Sequence, residues 1–395
     1  MGRLLLVLAL AACSPTPDRN SWSTDLHVLA TDLPQRHVAA FAHVPEATWR
    51  ADVAALDRAL PGLDEPHAIA GLARLVAELG DGHTMLGAAG RRGVYRLDLT
   101  WFADGIFVTG ADEPWAIGRR VVAIDTHPID AAIAAMTPLV ARDNVATLHG
   151  RLPALLVDPV LLAGADLAPT AHGATFVLAD RDGRARELAL EPAAAPVATA
   201  PPTPLPLHLQ GPDARYWNRY DEADHLLYLA YNACADDPRV GPFADFAART
   251  LAFADAHRVD RFVIDLRRNA GGNSEVIAPL LAGLAARPQL AGRVFVIIGM
   301  HTFSSAVLDA MRLARQLHAR LVGGPTGGAP TGYGEVKTFV LPYSKLTVQY
   351  STKQFVNADF PGDALQPDLP VVVNAADWFA GRDPAIDAIV AAPVP

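Results

Sequence analysis

The chain has 395 residues, of which 51% are hydrophobic, and its formal net charge is −9. This length predicts two or three domains with a substantial core, and the acidic balance argues against nucleic acid as a partner. After the first residues, no apolar run reaches the length that a membrane span requires.

The first residues predict export from the cytoplasm. Arg3 precedes an apolar run at 4–12, which is typical of a signal peptide and too short to span a bilayer. Leu-Ala-Ala-Cys at 10–13 resembles a bacterial lipobox, so residues 1–13 are predicted to be a lipoprotein signal peptide that ends at Cys13, the lipidated residue. Ser14 is typical of cargo sent to the outer membrane. A plain signal peptide cleaved nearby is the alternative, and either interpretation places the protein on the periplasmic side of the cell envelope, with the membrane contacted at most through the lipid anchor.

The cysteine content argues against a metal centre. Cys13 and Cys234 are the two cysteines, so no disulfide framework can form within a chain whose Cys13 is lipidated. Two isolated cysteines do not make a zinc site, and no His-Glu-x-x-His motif occurs. We therefore expect no metal and no cofactor, and we expect Cys234 to be a small buried hydrophobic residue.

Helical patterns follow a predicted tether at 14–22. Apolar residues recur at helical spacing between 47 and 60 and again between 65 and 79. They predict a helical N-terminal domain at 23–85, a small bundle that ends near Gly80 and delivers His83 just beyond its last helix.

The next segment, 86–191, alternates as strands do. Strands are predicted at 95–100, 105–109 and 120–125, a helix at 128–136, and a hairpin from 176–179 and 186–190. This order suggests a PDZ-like, β-rich module with an insertion at 138–173. A Pro- and Ala-rich linker is predicted at 192–215.

The remainder, 216–395, alternates strands with helices. Strands are predicted at 226–230, 261–266, 293–299 and 320–322, helices at 243–256, 275–285 and 304–317, and a β-pair at 336–341 and 346–350. Alternation of this kind predicts an α/β core built on a mostly parallel sheet.

Two turns of this core carry groups suited to acyl transfer. The chain leaves a buried strand at Gly299 and begins a helix near Ser304, so the serine would lie where backbone N–H groups and the helix dipole favour a developing anion. The strand that begins the segment 265–272 runs into a Gly-Gly turn, whose N–H groups can face a ligand without a side chain in the way. A helix N-cap serine and an ordinary strand-to-helix turn are the alternatives.

These segments together resemble the tail-specific, or C-terminal processing, serine peptidases, a family that includes the tricorn protease core and retinoid-binding repeats. The family's Asp-Leu-Arg-x-Asn-x-Gly-Gly segment is matched at 265–272, its Ser/Thr-x-Ser segment at 302–304, and its Val-Gly-Glu-x-Thr-x-Gly segment by Val-Gly-Gly-Pro-Thr-Gly at 322–327. Pro-Asp at 367–368 and the segment 379–384 also look familial. With the helical N-terminus and the PDZ-like middle, the resemblance covers most of the mature chain.

The resemblance implies a crotonase-like/ClpP-like α/β catalytic core and an acyl-enzyme mechanism. Ser304 would be the nucleophile, with Ser305 as the alternative. Backbone N–H groups of Gly271 or Gly272, and of Ser305, would form the oxyanion hole. An extended peptide or protein substrate would bind the PDZ-like module by strand addition.

One departure from the family concerns the general base. Many members use a lysine about 25 residues after the serine, and Ala329 occupies that position. The three lysines of the chain, Lys337, Lys345 and Lys353, stand at other spacings, and Lys337 would have to reach the site by another path. The tricorn-like branch uses a histidine from an earlier segment, and His83 in Gly-Asp-Gly-His-Thr matches that role.

Other residues compete for the roles of base and acid. His301, three residues before the candidate serine, is the rival base. Asp359 and Asp363 lie where the tricorn-like branch places an orienting acid, whereas Asp81 is only two residues from His83. For His83 itself, the alternative is a histidine that caps the preceding helix through backbone hydrogen bonds.

The sequence therefore predicts an exported serine endopeptidase of the tail-specific type. The alternative is a catalytically inactive protein that binds a peptide or an apolar ligand on the same fold. A homologue that has lost its activity would be expected to lack the lysine. A hydrolase of esters or other acyl substrates is a third interpretation.

Overall fold

A computed structural model of the chain describes residues 21–87, 93–211 and 213–393. Cys13 and the predicted signal peptide lie outside these residues, and so does most of the predicted tether. The strands form three sheets, one of three strands and two of six.

Three helices form where apolar residues recur at helical spacing between residues 22 and 77. They are α1 (Trp22–Arg36), α2 (Glu46–Ala59) and α3 (Glu65–Ala77). Their apolar faces share one core, in which the most buried side chains include Leu29, Leu33, Leu72 and Val76. Gly80, with a φ of 68°, follows α3 and turns the chain toward the short strand β1 (Met85–Gly87).

Residues 97–190 form an antiparallel sheet with helices beside it. The elements are β2 (Leu97–Phe102), β3 (Gly105–Ala111), β4 (Arg120–Ile124), β5 (His127–Pro128), α4 (Ile129–Met136), α5 (Val145–Leu155), α6 (Pro159–Gly164), β6 (Ala174–Ala179) and β7 (Ala185–Leu190). The strand order is β2-β3-β4-β6-β7, with β5 paired to β4. The predicted insertion contains α5, which packs on β2, and α6, which packs on α3. The insertion therefore joins this sheet to the N-terminal helices, and the PDZ-like character of the module stays a prediction.

The rest of the chain builds the largest core. Its elements are β8 (Tyr216–Asp221), β9 (Leu226–Tyr231), α7 (Phe243–Ala256), β10 (Arg261–Asp265), α8 (Ala278–Ala285), β11 (Val294–Ile298), α9 (Ser305–Leu317), β12 (Arg320–Gly323), β13 (Gly332–Val340), β14 (Thr347–Phe355), β15 (Leu369–Pro370), α10 (Ala375–Phe379) and α11 (Pro384–Ala391). Six strands form a sheet in the order β15-β12-β11-β10-β9-β8, in which only the β8–β9 pair is antiparallel. The predicted mostly parallel sheet is confirmed.

Helices cover both faces of this sheet. Side chains of α7, α8 and α9 pack on one face, and those of α11 pack on the other. Burial on both faces explains why β9 and β11 are uninterrupted apolar runs with every residue buried. Because the strands are parallel, the carboxyl ends of β9, β10 and β11 meet at one edge, which is where ligand sites of such sheets form.

The third sheet brings the N-terminal segment to that edge. β1 pairs with β14, which pairs with β13, both antiparallel. Val348 and Tyr350 of β14, and Leu341 just after β13, belong to the same core as α1 and α3. The residues between Gly80 and β1, which include His83, are therefore held between the helical segment and the parallel sheet.

Some elements differ from the sequence prediction. β1 and β8 were not expected, since β1 has only three residues and β8 is an edge strand rich in polar residues. α8 begins at Ala278, three residues later than expected, with proline in its first turn. The Pro-rich segment 192–215 lies along the second sheet, where Ala193 exchanges backbone hydrogen bonds with Val94 and the N–H of Ala200 donates to the carbonyl of Thr109 at 2.7 Å. No helix in the described part of the chain is long and apolar enough to cross a membrane.

Candidate active site

Ser304 lies at the turn between β11 and α9. It occupies the N-cap position of α9, yet its side chain makes no capping hydrogen bond, and its backbone has φ 54° and ψ −128°. Positive φ is unfavourable for a residue with a Cβ, and a serine held so at a strand-to-helix turn presents its hydroxyl in the manner of a nucleophile elbow. The geometry therefore does not match the ordinary N-cap serine that the sequence left open.

Buried hydrogen bonds hold this strained turn. The N–H of Phe303 donates to the carbonyl of Asn269 at 3.0 Å. The hydroxyl of Thr302 donates to the carbonyl of Leu266 at 2.8 Å and accepts from the N–H of Gly299 at 3.0 Å. The turn before Ser304 is thus tied to the end of β10.

The Gly-Gly turn lies directly against the serine. Gly271 and Gly272 have φ values of 108° and 134°, and a Cβ on Gly271 would lie 2.7 Å from the Cβ of Ser304 and 3.1 Å from the nitrogen of Ser305. The N–H of Gly271 donates to Oδ1 of Asn269 at 2.9 Å. Among the described residues, no hydrogen bond engages the N–H of Gly272 or of Ser305, the first residue of α9. These two N–H groups are therefore free to donate hydrogen bonds to a developing oxyanion.

Ser305 has a different role from Ser304. Its hydroxyl donates to the carbonyl of Gly272 at 2.7 Å. The second serine therefore fixes the glycine turn to the start of α9, whereas the side chain of Ser304 makes no capping hydrogen bond.

His83 lies against the residue that precedes the serine. Its ring centre is 4.5 Å from that of Phe303, with the planes inclined by 36°. The side chain is 13% exposed, and neither ring nitrogen has a hydrogen-bond partner among the residues that the structure describes. The ring therefore does not cap the preceding helix, and it does not hydrogen bond to Ser304 in this structure. His83 therefore lies next to the residue that precedes Ser304, and the two side chains are not hydrogen bonded to each other.

Burial sets the protonation of His83. It lowers the pKa of the ring, and the Arg151 guanidinium lowers it further, while Asp81 and Asp143 act in the opposite direction. A ring whose pKa lies below its usual value is neutral at pH 7 and can accept a proton from a hydroxyl group.

Asp81 is the carboxylate at the centre of the turn that carries His83. Its Oδ1 accepts from the N–H of His83 at 2.8 Å and lies 3.8 Å from Nδ1 of the ring. Its Oδ2 accepts from Thr84 and Ser351 hydroxyls, both at 2.6 Å, and bonds Nε2 of His37 at 3.0 Å. Although burial acts to raise it, these hydrogen bonds bring the pKa of Asp81 down to about 2. Asp81 is therefore an ionised anchor of the turn.

Asp143, from the insertion, ties this turn to the position where the family lysine would stand. Its Oδ1 accepts from the N–H of Gly82 at 2.6 Å, and its Oδ2 accepts from the N–H of Ala329 at 3.1 Å. Burial raises the pKa of Asp143, and the two backbone donors oppose that change. A Cβ on Gly82 would lie 2.7 Å from Oδ1 of Asp143, so the close approach requires glycine.

Arg151, also from the insertion, holds the other side of the same peptide. Its Nη1 donates to the carbonyls of Gly82 and Ala141 at 2.6 and 2.7 Å. Its guanidinium carbon lies 4.8 Å from the ring centre of Phe303. Arg151 and Asp143 thus hold Gly82, which precedes His83, next to Phe303, which precedes Ser304.

The acids expected from the sequence make other contacts. Asp359 is 73% exposed and pairs with Arg315 at 3.0 Å. Asp363 is exposed, and its backbone carbonyl accepts from the Asn144 amide at 2.6 Å. The carboxylates whose charges act on His83 are Asp81 and Asp143, and the assignment of Asp359 or Asp363 as the orienting acid stays a prediction.

The other candidate bases, a histidine and the lysines, contact residues different from those around His83. The ring of His301 lies beside Gly150, where a Cβ would come within 3.2 Å of it. Lys337 is exposed on β13, and Lys353 pairs with Glu335 at 3.4 Å.

Two residues of the site, Asp143 and Arg151, were not predicted from the sequence. The Asp-Asn pair at 143–144 is typical of a helix start, but nothing local connects it to His83.

A cavity of about 750 Å³ lies beside the turn that carries His83 and is lined by Asp143, Ala329, Tyr333 and Asp363, among others. Ser304 and His83 are not among its lining residues. Within residues 21–87, 93–211 and 213–393, no cluster of three or more His, Cys, Asp or Glu side chains could hold a metal ion.

Solved structures match this chain at low sequence identity. Mature CPAF in complex with lactacystin matches with a TM-score of 0.67 and 12% identity, over 94% of this chain and 97% of CPAF. Mature CPAF matches with a TM-score of 0.62 and 13% identity, over 91% and 94%. The photosystem II D1 C-terminal processing protease matches with a TM-score of 0.41 and 12% identity, over 93% and 99%.

Sequence comparisons find no counterpart. No family model matches the chain, and no curated protein matches it. What the chain shares with the solved structures at these identities is therefore their fold. The resemblance to the tail-specific peptidases is confirmed at that level, and the chain has the fold of CPAF over nearly its whole length.

Proposed function

We propose that this chain is a serine endopeptidase of the tail-specific type, which hydrolyses peptide bonds through an acyl-enzyme on Ser304. The observation that carries the proposal is the conformation of Ser304: a serine with φ 54° that does not cap its helix, beside unengaged N–H groups of Gly272 and Ser305. Strain of this kind persists only where the surroundings enforce it, and it concentrates at functional sites.

In the proposed mechanism His83 is the general base. It takes the hydroxyl proton of Ser304 as Oγ attacks the carbonyl carbon of the scissile bond, and it returns that proton to the leaving amine. The N–H groups of Gly272 and Ser305 stabilise the oxyanion of the tetrahedral intermediate. Water then attacks the acyl-enzyme by the same route and regenerates the serine. A change of side-chain rotamer must first bring Oγ and a ring nitrogen within about 3 Å.

Two carboxylates support the base in this proposal. Asp81, with Oδ1 at 3.8 Å from Nδ1, stabilises the imidazolium that forms during the reaction. Asp143 fixes the backbone of Gly82 and with it the position of the ring. In this arrangement His83, from the N-terminal part of the chain, takes the role that a lysine after the serine has in many family members.

The proposed substrate is an extended peptide or protein segment. The cavity of about 750 Å³ beside Asp143 and Ala329 accommodates several side chains. The edge strand β7 of the second sheet, most of whose residues are exposed, offers the strand addition expected of a PDZ-like module. Export through a signal peptide and anchoring in the outer membrane through a lipid on Cys13 belong to the same proposal.

Hydrolysis of an unstructured polypeptide by the purified chain tests this function. We expect Ser304→Ala to lose turnover and keep its fold, since the change removes one hydroxyl that does not cap its helix and has no hydrogen bond to the described residues. The matched control is Ser305→Ala, which we expect to retain much of the turnover. Unchanged hydrolysis by Ser304→Ala would contradict the proposal.

One observation favours a second function, a binding protein on the same fold. The hydrogen bond between His83 and Ser304 is not formed, since both ring nitrogens lack partners within the described chain, and Ala329 stands where many relatives carry the lysine. Peptide binding without turnover, at equal affinity in the parent chain and in Ser304→Ala, would support this second function.

A further inference from the structure

A buried polar cluster lies behind the glycine turn and is not used by the proposed mechanism. It consists of Asn269, Cys234, Asp309 and Tyr231, each with 0% exposure, and we refer to it as the Cys234 cluster. Four polar side chains in an apolar core are costly unless they are hydrogen bonded. The arrangement of their bonds therefore needs a reason.

The Cys234 cluster sets the position of the glycine turn. The N–H of Cys234 donates to the carbonyl of Gly271 at 3.0 Å, and its carbonyl accepts from the N–H of Asn273 at 2.8 Å. Oδ1 of Asn269 accepts from the N–H of Gly271 at 2.9 Å, and Nδ2 of Asn269 donates to the carbonyl of Tyr231 at 2.8 Å. A shift of Asn269 or Cys234 would therefore move the N–H groups beside Ser304.

The Cys234 thiol has two acceptors within reach. Sγ lies 3.2 Å from Oδ2 of Asp309 and 3.4 Å from Oδ1 of Asn269. A thiol carries one hydrogen, so it donates to one of the two at a time. An ionised Asp309 draws this hydrogen, whereas a protonated Asp309 can donate to sulfur and leave the thiol hydrogen for Asn269.

Asp309 lies on α9, the helix that begins beside Ser304. Its Oδ1 makes no hydrogen bond to any described residue, and Arg312 on the same helix lies 4.0 Å from that oxygen. Glu275 pairs with Arg312 at 3.4 Å, and the Tyr231 hydroxyl faces the cluster from β9. Burial raises the pKa of Asp309 to about 7, against the hydrogen bond from Cys234 and the charge of Arg312. Both protonation states are therefore populated near neutral pH.

We propose that Asp309 and Cys234 are positioning residues for the oxyanion-binding glycine turn, which is held in its working geometry when Asp309 is protonated and the Cys234 thiol donates to Asn269. This inference rests on the proposed function. Oδ1 of Asn269 is then fixed by two donors, the thiol and the N–H of Gly271. When Asp309 ionises, the Cys234 thiol donates its hydrogen to Asp309 and no longer to Asn269. A negative charge is then buried in the cluster, and the glycine turn is held less firmly.

The thiol vibration tests this relay without reference to activity. In the full chain carrying Cys13→Ser, Cys234 is the only thiol, because the sequence has two cysteines. We expect the S–H stretching band in the Raman spectrum to shift as pH is raised through neutrality, and we expect the shift to vanish in the isosteric Asp309→Asn variant. A band that does not move with pH, or that moves equally in Asp309→Asn, would overturn the relay whether or not the chain is an enzyme.

Kinetics test the positioning role. We expect Cys234→Ala to lower kcat about tenfold with little change in KM, which is less than the 10²–10³-fold loss that follows removal of an oxyanion donor itself. Cys234→Ser, which keeps one hydrogen-bond donor, should restore most of kcat. The alkaline decline of kcat in the parent chain should be absent in Asp309→Asn. Unchanged kcat in Cys234→Ala would overturn the positioning role, whereas absence of turnover in the parent chain, with the Raman shift intact, would count against the proposed function alone.

Discussion

At the scale of single residues, the site depends on groups that are left without partners. Ser304 does not cap its helix, and both ring nitrogens of His83 are buried and unpaired among the described residues. Natural proteins rarely leave buried polar atoms unsatisfied, and those that remain deserve an explanation. A serine and a base that engage each other only when substrate is bound supply that explanation.

The pH dependence of His83 follows from its burial. Because burial and Arg151 lower its pKa, the ring stays neutral to a lower pH than an exposed histidine does. We expect kcat/KM to fall only when the pH drops below the usual histidine range, and His83→Ala to lose about 10²–10⁴-fold in kcat. Lys337→Ala is the control and should match the parent chain. Loss of activity in Lys337→Ala, with His83→Ala active, would assign the base to lysine.

Asp143 also affects the pH dependence of kcat/KM, because its charge changes the pKa of His83. Its negative charge raises the pKa of His83, so Asp143→Asn should shift the acidic limb of kcat/KM to lower pH. The amide also places an NH₂ group against a backbone N–H of Gly82 or Ala329, so we expect kcat to fall about tenfold as one hydrogen bond is lost. Asp359→Asn, at the acid expected from the sequence, is the control and should change neither. An acidic limb that stays in place in Asp143→Asn would show that this carboxylate does not act on the ring.

At the scale of elements, the site is assembled where the carboxyl ends of parallel strands meet. The turns after β10 and β11 supply the glycines and the serine, and β1 with its pairing to β14 holds the turn that carries His83. The insertion contributes Asp143 and Arg151. Three separate segments of the chain are thereby tied to one edge of the sheet.

The glycine turn offers a matched pair of substitutions. Gly271 and Gly183 both have positive φ, 108° and 81°, so the backbone at either position disfavours alanine. A Cβ on Gly271 would lie 2.7 Å from the Cβ of Ser304, whereas one on Gly183 would meet nothing within 4 Å. We expect Gly271→Ala to lose nearly all turnover and Gly183→Ala to lose only stability, measured by urea unfolding. Parent-level kcat in Gly271→Ala would contradict the proposed oxyanion site.

Local patterns predicted most of these elements because the core strands and helices differ strongly in periodicity. The helix expected at 243–256 spans the same residues as α7 (Phe243–Ala256), and the parallel sheet follows from alternation of strand and helix. The β13–β14 pair was expected, but its pairing with β1 was not, because a three-residue strand has too few residues to show a pattern.

The roles of Asp143 and Arg151 could not be predicted from local patterns either. Their roles depend on contacts with Gly82, which lies 61 and 69 residues away in the sequence.

Across the whole molecule, two buried carboxylates make the stability of the fold depend on pH. Asp81, which bonds to Ser351 of β14, and Asp309, on α9, have opposite changes in pKa, to about 2 and about 7. The depressed pKa of Asp81 stabilises the fold above the unfolded-state pKa, and that stabilisation is lost as pH falls toward 2. The raised pKa of Asp309 favours the folded state below the unfolded-state pKa, and that advantage is lost as pH rises through about 7.

The contribution of Asp309 predicts a measurable slope in stability. Between the unfolded-state pKa near 4 and about 7, the folded chain binds one more proton at this residue than the unfolded chain. Its free energy of unfolding should therefore fall by about 1.4 kcal/mol per pH unit from this group. Asp309→Asn should flatten the curve in that range, as followed by urea unfolding at several pH values. An identical slope in Asp309→Asn would show that the carboxyl group titrates at its ordinary pKa.

The most direct test of the account is to map the covalent adduct formed by a serine-reactive phosphonate, using mass spectrometry of the intact and digested chain. We predict one adduct on Ser304, formed in the parent chain and in Ser305→Ala, absent in Ser304→Ala and much slower in His83→Ala. An adduct on Ser305, or equal labelling of His83→Ala and the parent chain, would contradict the assignment of nucleophile and base. Absence of any adduct on a folded chain would contradict the central claim and favour the binding protein.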